Sequence, residues 1–129
     1  MNHEPNLDDL TPVIVDLVKN VVQLLQEIQP DWQKAYLRFC YYDFNSIAKG
    51  TYVHQGGIDF FSPFQNGEFF NTVMNSGKKL LAAMGKEEGL FLLIIRSSRD
   101  FEIKFEFQDM NLWQINKMDG RTGIPEGIE

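Results

Sequence analysis

Apolar residues at Ile14, Leu17, Val18, Val21, Leu24, Leu25 and Ile28 recur at intervals of three and four, with Asp16, Lys19, Asn20, Gln23, Gln26 and Glu27 between them. That spacing draws one apolar stripe along an α-helix. Thr11 and Pro12 predict its start, as N-cap and first helical residue, because the missing proline N–H has no intrahelical partner to lose there. Pro30 stops it. Residues 1–10 read as a polar lead-in.

From residue 32 to 42 the pattern changes to alternation. Leu37, Phe39 and Tyr41 face one way and Tyr36, Arg38, Cys40 and Tyr42 the other, which predicts a strand. Residues 43–50, rich in Asn, Ser and Lys-Gly, read as the hairpin connection, with strand resuming over 51–55 until Gly56-Gly57 permits a bulge or turn. Residues 58–61 extend the sheet. A second helix is marked by Phe69, Phe70, Val73, Met74, Leu80, Leu81 and Met84. Its start is open between the capping-box spacing at Ser62 and a start at Asn66, and Gly85 or Gly89 ends it.

The run Leu90-Phe91-Leu92-Leu93-Ile94-Ile95 has the continuous apolarity of a strand covered on both faces. After a turn at 98–100, Phe101, Ile103, Phe105 and Phe107 alternate with Glu102, Lys104, Glu106 and Gln108, predicting a hairpin partner. Trp113 anchors the stretch beyond it. The Gly- and Pro-containing end, 118–129, reads as a flexible tail.

The elements predict an α+β fold: a single domain over 11–117, a two-layer sandwich in the order α-β-β-α-β-β. A mostly antiparallel sheet of about four strands packs its phenylalanine face on the helices. The opposite face would then be open, carrying Glu102, Lys104 and Glu106 near some of Tyr36, Arg38, Tyr42, Tyr52 and His54, according to the strand order. A mixed aromatic and charged open face is a candidate binding surface.

Composition narrows the function classes. The chain has 129 residues, 43% hydrophobic, and a net charge of −6. Residues 1–31 hold six acids against one base, 32–108 eight acids against nine bases, and 109–129 four acids against two bases. Direct nucleic-acid binding is not expected of such a balance, since phosphate affinity rests on clustered Lys and Arg. The acidic excess at the ends suits steering of a basic protein partner. One cysteine and two histidines cannot supply a structural zinc site from nitrogen and sulfur alone or an internal disulfide, and a reducing cytoplasm fits that usage. No apolar run approaches membrane-spanning length, and the acidic start lacks the basic opening of a signal peptide.

Candidate chemistry is sparse. His54 and Asp59 flank Gly56-Gly57, where a carboxylate could orient a histidine as a general base. No recognised nucleophile motif accompanies them, so no catalytic activity and no cofactor is expected. Cys40 reads as a buried, inert thiol. The glycines lack the Gly-Lys-Ser/Thr ending of a phosphate loop. The edge 51–55 leaves a homodimer through strand pairing open.

Two stretches carry a resemblance. Ile28-Gln29-Pro30-Asp31-Trp32-Gln33-Lys34-Ala35-Tyr36 resembles the end of the first helix and the entry to the first strand in YezG-like immunity proteins, with Tyr36 four residues after Trp32. Phe101-Glu102-Ile103-Lys104-Phe105-Glu106-Phe107-Gln108-Asp109 followed by Trp113 resembles the family's alternating strand, short acidic link and tryptophan. The resemblance implies a cytoplasmic immunity protein that binds and neutralises a cognate bacterial toxin, commonly a basic nuclease domain, without chemistry of its own. Partner-contact residues expected on that reading are Asp43 and Asp59 at loop edges, Glu102 and Glu106 on the open face, and Tyr36, Tyr42 and Tyr52 as aromatic anchors. The alternative is a small-molecule or peptide-binding regulatory domain with the aromatic sheet face as its floor.

Overall fold

The structure, a computed structural model, describes residues 7–128, with side chains from Leu10 onward. The first helix, α1, spans Leu7–Ile28 and therefore begins before the expected Thr11-Pro12 start, with Pro12 inside it. Leu10 gives the reason. It lies on the same stripe as Ile14 and Leu17 and is buried in the core, so burial favours an extra turn that proline disfavours locally. Residues 1–6 of the expected lead-in lie outside the described residues.

Five strands follow: β1 (Lys34–Tyr42), β2 (Asn45–His54), β3 (Gly57–Phe60), β4 (Gly89–Arg96) and β5 (Phe101–Glu106), with α2 (Gly67–Ala83) between β3 and β4. All pairings are antiparallel, in the order β3-β2-β1-β4-β5. The fold is α+β as expected, with one strand more than the four anticipated. The added strand is β3, where the chain turns at Gln55-Gly56 and residues 57–60 pair back on β2 instead of merely extending it; the first hairpin differs as well. Tyr42 pairs with Asn45, so the connection is only Asp43 and Phe44, and the polar stretch 45–50 is strand rather than loop. Both turn residues have positive φ, 53° and 62°, the handedness that matches a two-residue turn to strand twist.

One sheet face packs on the helices. Leu37 and Phe39 of β1, Phe91, Leu93 and Ile95 of β4, and Ile103, Phe105 and Phe107 from β5 onward meet Leu17, Val21 and Leu25 of α1 and Phe70, Val73, Leu80 and Leu81 of α2. The Phe39 and Phe91 rings stack at 5.3 Å. Gly77 lets α2 approach that closely, because a Cβ there would sit 2.6 Å from the Phe39 ring. Gly costs about 1 kcal/mol relative to Ala inside a helix, so close packing decides the residue. α2 starts at Asn66, its N-cap, and Gly85 follows its end at φ 71°, the left-handed position favoured after a helix.

The other sheet face is covered too, which corrects the expectation of an open face and of a flexible tail over 118–129. Residues 109–128 run back across it. Trp113, Ile115, Ile124 and Ile128 pack against Tyr36, Leu92 and Ile94. Arg38 Nε donates to the Leu112 carbonyl (2.9 Å) and Nη2 to that of Met110 (2.6 Å), while Thr51 Oγ1 donates to the Gly123 carbonyl at 2.8 Å. Gly120, Gly123 and Gly127 have positive φ. The glycines that suggested disorder bend the segment so that isolated isoleucines reach the sheet.

Candidate functional site

The seven expected contact residues fall in five different settings. Tyr36 lies on the covered face, 1% exposed, under the Trp113–Ile115 cluster. Tyr52 is 8% exposed and on the helix face, because pairing of Tyr36 with Thr51 sends Tyr52 to the opposite side of the sheet. Its ring meets Phe61 at 4.9 Å, and burial pushes its hydroxyl pKa up. Neither tyrosine can be a surface anchor in this conformation. Glu102 and Glu106 are on β5, the edge strand. Glu102 pairs with Arg96 at 3.5 Å. Glu106 accepts the Gln108 and Asp109 N–H groups (3.0 and 2.9 Å), and those bonds, the Asp109 one foremost, hold its carboxyl below the usual range.

Asp59 lies beside the second hairpin turn, 2.7 Å from His54 Nε2. The Gly56 N–H donates to His54 Nδ1 at 3.1 Å. With Nδ1 accepting, Nε2 carries the proton given to Asp59. Both ring nitrogens are occupied, and the pair staples the β2–β3 hairpin. Cys40 is buried, its Sγ 3.8 Å from Met110 Sδ, and burial raises its pKa, a setting that disfavours the reactive thiolate. Among the described residues, no three His, Cys, Asp or Glu side chains group so as to hold a metal ion. No described helix is long and apolar enough to cross a membrane. Residues 51–53 pair with β1 on one side and β3 on the other, so that stretch is no free edge.

Tyr42 and Asp43 come together at the tip of the β1–β2 hairpin, with residues that sequence reasoning missed. Phe44, the second turn residue, is 91% exposed, and Tyr42 and Ile47 are 55% and 59% exposed. A phenylalanine in the left-handed region is uncommon, and an exposed one gains no burial from being there. A cleft beside the turn is lined by Tyr41, Phe44, Glu87 and Glu88. A second, on the other side, is lined by Cys40, Tyr42, Ile47 and Met110, among others. Glu88 ties the turn to the α2–β4 loop, its Oε2 accepting the Asp43 N–H at 2.8 Å.

The tip therefore presents an aromatic and aliphatic prominence with three carboxylates, Asp43, Glu87 and Glu88, around it. Two lysines near this end are drawn over rings, Lys78 over Tyr41 at 5.3 Å and Lys86 over Phe107 at 4.9 Å. The signal for this site was present in the sequence as an aromatic residue between two turn formers, Asp43-Phe44-Asn45. No protein-family model matches the chain, and comparison with curated proteins finds no match.

Proposed function

We propose that this chain is an immunity-type inhibitor: an acidic, cytoplasmic protein that binds a basic protein toxin and blocks it without catalysing a reaction. The observation that carries the reading is Phe44, held out to solvent by a left-handed backbone and ringed by Asp43, Glu87 and Glu88. An exposed aromatic that contributes nothing to the core is what a binding anchor looks like before its pocket arrives. The carboxylates around it suit a partner whose pocket is rimmed by Lys or Arg, and a net charge of −6 favours fast encounter with such a partner. The resemblance of residues 28–36 and 101–113 to YezG-like immunity proteins supports the same class and makes a nuclease domain the expected target.

The small-molecule alternative needs the Tyr36 side of the sheet as its floor. Trp113, Ile115, Ile124 and Ile128 fill that side. The immunity reading is tested by co-expression with the product of the gene immediately upstream. A 1:1 complex in which the toxic activity is lost is expected. Unaltered toxicity in the presence of excess folded protein would reject it.

A further inference from the structure

The two edges of the sheet are finished differently. At β3 the edge is short, and the Lys117 ammonium donates to the Ile58 carbonyl on its outer side, so the C-terminal segment caps it. At β5 the edge is six residues long. The Arg96 N–H donates to the Asp100 carbonyl, which sets the alternation of the β4–β5 ladder. With the pairs Ile94–Glu102, Leu92–Lys104 and Leu90–Glu106 bonded inward, the backbone groups of Phe101, Ile103 and Phe105 point away from the sheet. A row of outward donors and acceptors is a template for another strand.

The side chains along this edge are self-complementary in one register. Two copies of β5 can pair antiparallel over five residues either about Ile103 or about Lys104, since only those two centres use the outward groups and keep most of the strand. About Lys104, lysine faces lysine and Glu102 faces Glu106. About Ile103, each Glu102 faces the other copy's Lys104, and Phe101 faces Phe105. Glu106 then falls at the rim opposite Asp100, which Arg96 already neutralises at 3.2 Å. Opposite charges directly across a strand pair favour it and like charges oppose it. The same edge has unspent apolar surface: Phe101 is an exposed aromatic beside a cleft lined by Val15, Val18 and Val22 of α1.

We infer that the protein self-associates through β5, two copies pairing antiparallel about Ile103 into one ten-stranded sheet. This stands apart from the proposed inhibitor function, which uses the opposite kind of feature, the β1–β2 tip. The test is sedimentation equilibrium of the full chain from micromolar to several hundred micromolar. Wild type is expected to approach twice its 15.0 kDa chain mass. Lys104→Glu places like charges at two sites at once and is expected to raise the dissociation constant by about tenfold, as is Glu102→Lys. The double exchange Glu102→Lys with Lys104→Glu restores wild-type association. The two single variants probe one contact from either side, so a folding failure in one leaves the other, with circular dichroism checking each. Wild type that stays monomeric throughout overturns the inference. So does a dimer unaffected by either exchange, as with another protein surface, or one tightened by Glu102→Lys, as the Lys104-centred register requires.

Discussion

Replacing Phe44 with glycine separates what this residue does for binding from what it costs the fold. The left-handed backbone at φ 62° carries a penalty of about 1–2 kcal/mol for a residue with a Cβ, and glycine removes it. Glycine returns about 0.5–1 kcal/mol of that through the larger entropy of its unfolded chain. The side chain is 91% exposed, so its removal forfeits only about a tenth of the roughly 1.5–3 kcal/mol a buried phenylalanine contributes. The balance is a gain of about 0.5 kcal/mol, a rise of about 2 °C in melting temperature for a domain of this size. Phe44→Ala keeps the strained backbone and should leave stability within about 0.3 kcal/mol of wild type. Urea denaturation of the three proteins resolves the order glycine, wild type, alanine. A glycine variant less stable than wild type by more than about 1 kcal/mol would refute the reasoning, since it would mean that the ring packs or that the turn is not left-handed.

Other outcomes follow from the interior. Arg38→Met loses two charge-assisted bonds and leaves the Met110 and Leu112 carbonyls without them, offset in part by the relief of a buried guanidinium. A loss of about 2 kcal/mol is expected by denaturant unfolding, with faster proteolysis of residues 109–117, and an equally stable variant would remove the clamp from the account. Gly77→Ala should cost about 1–3 kcal/mol despite the better helix propensity of alanine, because its methyl meets the Phe39 ring at 2.6 Å; thermal unfolding reads the sign. Glu106 has a carboxyl held below the usual range by the Asp109 and Gln108 N–H groups, so the stability it confers is present above the ordinary glutamate pKa and lost as pH falls through its lower folded value. Glu106→Gln should therefore be less stable than wild type at pH 7 and converge with it in acid, and a gap that persists unchanged in acid would contradict this.

Much of the architecture was legible because periodicity and burial coincide. The stripe on α1, the uninterrupted apolar run of β4 and the alternation of β5 each have one packing solution. Three features escaped for physical reasons. Residues 45–49 stay exposed or half-buried, so backbone pairing rather than side-chain burial makes that half of β2, and this hid a two-residue turn inside an apparent eight-residue loop. Register then decides faces: with Tyr36 opposite Thr51, Tyr52 goes to the helices, and a shift by one residue would reverse that. The covering of the second face was hidden by composition. Ile115, Ile124 and Ile128 have no period, and Gly120, Gly123 and Gly127 read as disorder although their positive φ values shape a fitted segment. Of the expected contact set, Tyr42 and Asp43 reached one surface; Phe44 lies there as their neighbour in the turn, and Glu87 and Glu88 joined them through tertiary contacts that no local pattern encodes.

The central claim is that Phe44 and its carboxylate rim are the docking tip for a basic partner. The most direct measurement is stopped-flow binding of wild type and Phe44→Ala to the purified product of the upstream gene, across a salt series. Association that slows as salt rises, with dissociation accelerated about thirtyfold or more by Phe44→Ala, is the predicted result. Tight binding that is insensitive both to salt and to Phe44→Ala would contradict it.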